Sequence, residues 1–260
     1  MSIHPTAIVA AGAQIDPTVQ IGPYSVIGAH VTLGAGCIVD SHVVIDGHTT
    51  IGRNNRIHPH VAIGGPPQDQ KYDGGPTQLT IGDANHFREF CTIHRGSIPN
   101  GKGTIIGNQN LIMANAHVAH DCHLENHITL ANSVALAGHV LVGSHAVLGG
   151  LSAVHQHSRI GTGAMISGGA MAVQDVPPYL IAQGDRARLR GLNRVGLRRL
   201  GVSDATITAL QTAYRMVFLS KIPFQKALSM ASTEAPDDPI LNSFFEFINT
   251  STRGCCRAIQ

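Results

Sequence analysis

Aliphatic residues recur at every sixth position along most of the chain. These anchors run without a miss over residues 3–63, 81–93 and 106–166. The residue four places after each anchor is mostly small, as at Ala13 and Cys37. This small residue and the next anchor are two apart, so both point to one side of a short strand. Gly, Asn, Asp and His are frequent at the second and third places after each anchor, as expected of corners.

Three six-residue sides close a triangular coil of 18 residues, so the pattern predicts a parallel β-helix of roughly eight coils stacked about 4.8 Å apart. The period does not fix the handedness, and the general crossover rule favours right-handed connections. Two Pro/Gly-rich segments, 65–80 and 95–104, break the rhythm. We expect both to leave the solenoid as loops on its binding face.

The rhythm stops near residues 175–179 and the apolar spacing becomes helical. Ser203 is a candidate cap for a helix with Ile207, Leu210, Tyr214 and Val217 on one face. A last helix is predicted from Ile240, Leu241, Phe244, Phe245 and Ile248. We therefore divide the chain into a β-helix over 1–180 and an α-helical domain over 181–260.

Composition agrees with a narrow coil. Only 4% of residues are aromatic although 43% are hydrophobic, and the net charge of +2 argues against disorder. We expect no transmembrane segment and no signal peptide, because no stretch of 18 apolar residues exists and the N-terminus lacks a basic region before an apolar one. The five cysteines lack metal-type spacing, which favours a reduced, cytoplasmic chain with Cys37, Cys91 and Cys122 as buried filler.

Stacking the 18-residue coils gathers polar residues at one corner. The three columns there are Asp121, His139 and His157; His120, Gly138 and Gln156; and Ala119, Ala137 and His155. A His beside an Asp suits a general base, and a Gly N–H suits an oxyanion hole. The set favours acyl transfer, and direct attack by the acceptor, because no Ser or Cys nucleophile joins it.

Two other interpretations of this corner stay open. Corner His and Asp residues often only bond the backbone. His117, His120 and His123 suggest a zinc site, but their spacing puts His117 and His123 on different sides of the triangle. We expect no metal and no cofactor.

Several motifs resemble the UDP-N-acetylglucosamine acyltransferase family. They are NAHVAHDC (115–122), AGHV (137–140), AVHQ (153–156), QDQKY (68–72), TIHRG (92–96), QDVPPYLIAQG (174–184) and STRG (251–254). The resemblance covers essentially the whole chain. It implies a left-handed β-helix and a homotrimer with sites between subunits. The implied reaction is transfer of a 3-hydroxyacyl group from acyl carrier protein to the 3-hydroxyl of UDP-N-acetylglucosamine, the first step of lipid A biosynthesis.

By this resemblance, His120 is the general base, Asp121 orients it and Gly138 offers its N–H to the oxyanion. The implied substrate contacts are His117, His139, His155, Gln156, Asp69, Lys71, Asn193 and Arg199. Gly168 matches the position that limits the acyl groove, so a preference for long 3-hydroxyacyl groups follows. Arg186 is a second residue that could shorten the groove. The chain departs from the family pattern at Gln70 and Leu200.

An arginine-rich segment follows the solenoid. Its members are Arg186, Arg188, Arg190, Arg194, Arg198 and Arg199. We expect it to dock the acidic acyl carrier protein; a solvated helical turn is the alternative. Nucleic acid is disfavoured, because the rest of the chain is neutral and no aromatic platform is visible.

Three other functions compete. A related N-acyltransferase carries an extra N-terminal uridine-binding domain, for which hexads beginning at Ile3 leave no room. A γ-type carbonic anhydrase would use zinc on the same solenoid. A non-catalytic scaffold would have no use for the clustered His and Asp.

Overall fold

The structure is a computed structural model that describes residues 2–98 and 101–259. Three sheets form the sides of a triangular prism. The first contains Ser2–Ile3, Gln20–Ile21, Ile38–Val39, Arg56–Ile57, His86–Phe87, Leu111–Ile112, Thr129–Leu130, Val147–Leu148, Met165–Ile166, Leu180–Gln183 and Arg188–Leu192. The second contains Ile8–Val9, Val26–Ile27, Val44–Ile45, Ala62–Gly65, Thr92–His94, His117–Val118, Ala135–Leu136, Ala153–Val154 and Met171–Ala172. The third contains Gln14–Ile15, Val31–Leu33, His48–Ile51, Gln78–Ile81, Thr104–Ile106, His123–Leu124, Leu141–Val142 and Arg159–Ile160.

The strand register confirms the predicted coil. Ile3 pairs with Ile21, and each later pair along the regular part of a sheet is also 18 residues apart. Six strand pairs are wider: three span 30 residues, such as Arg56 with His86, and three span 25, such as Thr92 with His117. The extra residues are the two excursions, which leave the prism after Gly65 and after His94.

The interior follows the hexad pattern. The anchors from Ile21 to Ile166 are almost entirely buried, and the small residues Cys37, Cys91 and Cys122 are fully buried beside them. Each side of the coil places an anchor and a small residue in the narrow interior, which leaves little room for aromatic rings. Phe87 is the one aromatic anchor in the repeat. The predicted aliphatic core is therefore confirmed.

The corners of the coil account for several of the histidines. His42, His60, His127 and His145 have positive φ angles, and their rings stack on neighbours one coil away. The centroids of His42 and His60 lie 5.0 Å apart, and those of His127 and His145 lie 4.7 Å apart. Stacked rings cover the strained corner backbone, so these residues need no chemical role.

The C-terminal part begins with an antiparallel hairpin. Leu180–Gln183 extends the first sheet in parallel, and Arg188–Leu192 pairs back against it, so that sheet continues beyond residue 180. The helices are α1 (Arg194–Arg199), α2 (Asp204–Tyr214), a π-helical segment (Arg215–Leu219), α3 (Phe224–Glu234) and α4 (Pro239–Asn249). None of the helices in the described ranges combines the length and apolar character needed to cross a bilayer.

Two of these helices agree with the sequence analysis. Ser203 Oγ accepts a hydrogen bond from Thr206 N, 3.1 Å away, and so caps α2 as expected. The predicted apolar faces are buried except at Ile240, which is partly exposed, and Val217 lies in the π-helical segment after α2. The hairpin, α1 and α3 were not predicted.

The last residues return to the end of the solenoid. Asp175 is buried and pairs with Arg159, whose Nε lies 3.0 Å from Asp175 Oδ2. Ser251 Oγ donates to the same carboxylate over 2.8 Å, and Asp175 N donates to Gly254 O over 3.0 Å. The tail is therefore held to the prism by one buried charge and its partners.

Candidate active site

His120 and Asp121 lie at the corner between the second and third sheets, where the coil turns after Val118. His120 Nδ1 is 2.8 Å from Asp121 Oδ2, and both side chains are largely buried. The contact is a charge-assisted hydrogen bond that fixes the imidazole ring. In the neutral ring Nδ1 carries the proton, so Nε2 presents a lone pair.

Ser97 in the second excursion and Thr104 in the strand after it hold Asp121 in place. Ser97 donates to Asp121 Oδ2 through both its hydroxyl, over 2.6 Å, and its N–H, over 3.0 Å. Asp121 N donates to Thr104 Oγ1 over 2.8 Å. Burial opposes ionisation of the carboxyl, but the hydrogen bonds from Ser97 and His120 outweigh it and the pKa of Asp121 lies below its usual value. Asp121 is therefore an anion at neutral pH.

Gly138 lies one coil above His120, and the imidazole ring rests against it. A Cβ at this position would stand 2.6 Å from Cε1 and 2.7 Å from Nε2 of His120. Real Cβ atoms do not approach that closely, so a side chain here would displace the ring. The glycine thus provides the space that the imidazole ring occupies.

His139 and His157 continue the column above Asp121. His139 Nε2 lies 3.7 Å from Asp121 Oδ2, and its ring stacks on His157 with centroids 4.5 Å apart. Burial lowers the pKa of His139, while the charges of Asp121 and Asp69 partly oppose the shift. The column predicted from 18-residue arithmetic is therefore confirmed as geometry, although His157 is exposed.

His117 and His94 form the floor of the corner, one coil apart. Their rings meet edge to face with centroids 4.9 Å apart, and His117 Nδ1 is 2.7 Å from Thr92 Oγ1. Burial lowers the pKa of His117 and lowers that of His94 to about 4. Nδ1 of His94 is buried and has no hydrogen-bond partner among the described residues. Sequence reasoning assigned His94 no role, although it stands in the quoted motif TIHRG.

The first excursion carries Asp69 and Lys71 next to this corner. Lys71 N donates to Asp69 Oδ1 over 2.9 Å, so the two side chains share one turn. Arg95 anchors the loop by donating to Gly64 O over 2.8 Å and to the Tyr72 hydroxyl over 3.1 Å. Neither Arg95 nor Tyr72 was predicted as a site residue.

His155 and Gln156 lie at the same corner, nearer the C-terminal end. His155 Nδ1 is 2.8 Å from Arg253 Nη2 and 3.1 Å from Gln156 O. His155 also lines a cleft of about 610 Å³ whose other walls include Arg186, Arg188 and Arg257. His155 therefore belongs both to this corner and to the wall of an arginine-lined cleft.

Three predicted site residues lie elsewhere in the single chain. Asn193 caps α1, because its Oδ1 accepts from Gly196 N and its Nδ2 donates to Gly163 O, each over 3.0 Å. Arg199 and Asn193 line a cavity of about 550 Å³ at the His127–His145 corner, between the third and first sheets. Gly168 lies at the corner between the first and second sheets, where a Cβ would be 3.3 Å from Gly150 O.

The arginine-rich segment also divides between these places. Arg186 and Arg188 line the cleft beside His155, whereas Arg194 and Arg199 line the cavity beside Asn193. Arg198 approaches Asp204 on the exposed surface at 3.9 Å. The segment is therefore two basic surfaces and not one patch.

The corner also satisfies the proximity needed for a metal ion. His120, Asp121 and His139 each offer a ligand atom, and these atoms lie within 4.8 Å of one another. His117 and His123 lie on the second and third sheets, as the spacing predicted, so they do not complete this set. The 2.8 Å contact between His120 and Asp121 serves equally as a direct hydrogen bond.

Comparison with known proteins gives one consistent family. A family model described as Udp N-acetylglucosamine O-acyltransferase, Domain 2, matches residues 175–256. The acyl-[acyl-carrier-protein]–UDP-N-acetylglucosamine O-acyltransferases of Myxococcus xanthus and Paraburkholderia xenovorans are 50% and 47% identical to the chain, and each alignment covers 98% of this chain and 99% of the relative.

Solved structures agree over the same length. The UDP-N-acetylglucosamine O-acyltransferase of Moraxella catarrhalis superposes with a TM-score of 0.95 at 44% identity, covering 99% of this chain and 100% of that one. The solenoid is accordingly a left-handed parallel β-helix, which the resemblance implied and the period alone did not. Full-length identity, the shared fold and the His–Asp corner place the chain in the UDP-N-acetylglucosamine O-acyltransferase family.

Proposed function

We propose that this chain transfers a 3-hydroxyacyl group from acyl carrier protein to the 3-hydroxyl of UDP-N-acetylglucosamine, which begins lipid A biosynthesis. The names of the full-length relatives support the reaction and both substrates. One observation carries the mechanism: a buried imidazole that is bonded to a carboxylate through Nδ1 and has Nε2 free. The proposed compartment is the cytoplasm, which fits five free cysteines in the described ranges.

In the proposed mechanism, His120 Nε2 removes the proton from the sugar hydroxyl as that oxygen attacks the thioester carbonyl carbon. A C–O bond forms, and the carbonyl oxygen becomes an oxyanion that the Gly138 N–H stabilises. Asp121 stabilises the imidazolium produced in this step. The C–S bond then breaks, and the thiolate leaving group takes the proton back from His120. Charge and protons balance without a covalent acyl-enzyme.

The histidine floor suits the sugar. A neutral ring with an unused nitrogen can bond a hydroxyl, and burial keeps His94 and His117 neutral. Asp69 and Lys71 are assigned to the nucleotide sugar, because their loop approaches the same corner and an ammonium group binds phosphate as a point charge.

We further propose a homotrimer. Asn193 and Arg199 are one side of the prism away from His120, so a neighbouring subunit must supply them if they contact the same substrate. Threefold packing of flat-sided prisms would bring the His120 corner of one chain to the Asn193 corner of the next. The cap made by Asn193 would then place α1 and Arg199 at that boundary.

The decisive test measures acyl transfer from 3-hydroxyacyl carrier protein to UDP-N-acetylglucosamine by wild type and His120→Ala. We expect kcat to fall by roughly 10³-fold or more, because the general base is lost. His42→Ala removes a stacked histidine at another corner of the prism and should retain wild-type turnover. Near-wild-type turnover by His120→Ala would reject the mechanism, and no turnover by wild type would reject the reaction.

A zinc enzyme is the second candidate, because His120, Asp121 and His139 are close enough to share an ion. Elemental analysis of the purified protein separates the two. Stoichiometric zinc that is lost in His139→Ala would favour a γ-carbonic-anhydrase type of chemistry, whereas acyl transfer that persists in the presence of a chelator would favour the base mechanism.

A further inference from the structure

The C-terminal tail reaches the catalytic corner through one side chain. Arg253 Nη2 lies 2.8 Å from His155 Nδ1, and Arg253 Nε donates to Val173 O over 2.9 Å. The two residues are 98 positions apart in the sequence. The motif STRG, in which Arg253 stands, otherwise has no role in the proposed reaction.

The rest of the motif fixes where Arg253 stands. Ser251 bonds the buried carboxylate of Asp175, and Gly254 O accepts from Asp175 N. Gly254 has a φ of +80°, which a residue with a side chain rarely adopts, and the chain turns there. Arg253 thus lies between Ser251 and Gly254, which are both hydrogen-bonded to Asp175. Its guanidinium therefore has a defined direction.

The contact determines the tautomer of His155. A guanidinium only donates hydrogen bonds, so Nδ1 must accept from Arg253 and the ring proton must reside on Nε2. Gln156 O competes for the same nitrogen at 3.1 Å, and it could bond only an Nδ1–H. Without Arg253, the carbonyl would select the opposite tautomer, and Nε2 would become an acceptor.

We propose that Arg253 is a positioning residue that makes His155 a hydrogen-bond donor through Nε2. This inference rests on the proposed function, in which His155 contacts substrate. The donor faces the arginine-lined cleft, so its partner is an oxygen of the acyl donor's prosthetic arm, a phosphate or an amide carbonyl. The tail therefore sets the chemistry of a site residue without touching the reacting atoms.

The test uses the full-length protein with ¹⁵N-labelled histidine and compares wild type with Arg253→Met. The His155 signals, assigned by their absence in His155→Gln, should report an Nε2–H ring in wild type and an Nδ1–H ring in Arg253→Met. Kinetics should show kcat/KM for the acyl donor reduced roughly tenfold, the size expected from one hydrogen bond to a charged oxygen, with the KM for UDP-N-acetylglucosamine unchanged.

Two further variants separate positioning from stability. Ser251→Ala loosens the tail anchor and should lower Tm while the wild-type tautomer persists. Arg253→Lys retains a donor and should restore the Nε2–H ring at least in part. An unchanged His155 tautomer in Arg253→Met would overturn the inference. Because NMR reads the tautomer without turnover, a failure of the proposed reaction would be seen separately in the wild-type assay.

Discussion

Gly138 has no side chain, and the imidazole ring of His120 lies against the position that a Cβ would take. In Gly138→Ala the new Cβ would press on the imidazole ring, so the ring must tilt away from Asp121 and from the glycine N–H. We expect kcat to fall roughly 100-fold, because both the base and the oxyanion donor lose their geometry.

Gly150→Ala is the matched control for this change. Gly150 occupies the same place in its hexad as Gly138 but at another corner of the prism, and its Cβ would meet only Asn132 O, at 3.3 Å. Turnover by this variant should remain close to wild type. If Gly138→Ala also keeps wild-type kcat, the contact between the glycine and the ring has no catalytic importance.

His94 predicts a pH dependence of stability. Its pKa is about 4 in the folded protein and near 6.5 when exposed, so between these values the unfolded chain binds a proton that the folded chain does not. The free energy of unfolding should therefore fall as pH drops from 6.5 towards 4, and this contribution should level off below 4. Urea titrations at pH 7 and pH 5 should show a smaller loss for His94→Gln than for wild type; an equal loss would contradict the assignment.

Individual residues were predictable where the period gives them a fixed place. Counting in steps of 18 along the sequence places Asp121 beside His139, and their contact follows from the coil alone. Ser97 could not be found in this way, because it belongs to the second excursion, which has no periodic register. The same limit applies to Arg253, whose partner lies 98 residues away.

At the scale of elements, a coil corner is the proposed limit on acyl length. Gly168 has an ordinary φ, and a Cβ there would be 3.3 Å from Gly150 O, so a side chain fits after a small shift. Gly168→Met should change the preferred donor to a shorter 3-hydroxyacyl chain, because the thioether would occupy space that the acyl end needs. Competition between donors of several lengths measures the change.

Arg186 provides the alternative to this prediction. If Gly168→Met keeps the wild-type preference and Arg186→Ala accepts longer chains than wild type, the limit belongs to the hairpin and not to the corner. The two variants act on separate elements, since Arg186 lines the cleft beside His155.

Element prediction succeeded for the coils and for α2 and α4, each of which has a strong apolar period or a cap. It missed the hairpin of Leu180–Gln183 and Arg188–Leu192, because alternating Arg and apolar residues there resemble a basic surface segment. It also missed α3, whose few apolar residues and proline N-cap give a weak helical signal. The division into domains at residue 180 stays a prediction, since the first sheet continues into the hairpin.

At the scale of the whole molecule, we expect the basic cleft beside His155 to bind the acidic acyl carrier protein. Arg186 and Arg188 stand in the cleft that leads to His155, and they are the best placed of the six arginines to meet the acyl carrier. Reversing both charges to Glu should raise the KM for acyl carrier protein and weaken its dependence on salt, with the KM for the nucleotide sugar unaffected.

Lys221→Glu with Lys226→Glu makes the same change in net charge on exposed positions outside the cleft. This control should leave the KM for the carrier near its wild-type value. Equal effects of the two double variants would indicate a general influence of net charge, and no effect of either would reject the docking surface.

The anchoring of the tail on Asp175 has a consequence for synthesis on the ribosome. Each coil needs only the 18 residues before it, so the prism can assemble in order as the chain emerges. The ribosome adds Ser251 76 residues after Asp175, and it adds Arg253 98 residues after His155. A nascent chain that stops before residue 251 would therefore hold a finished scaffold with an unfinished site, which Ser251 and Arg253 would complete once they emerge.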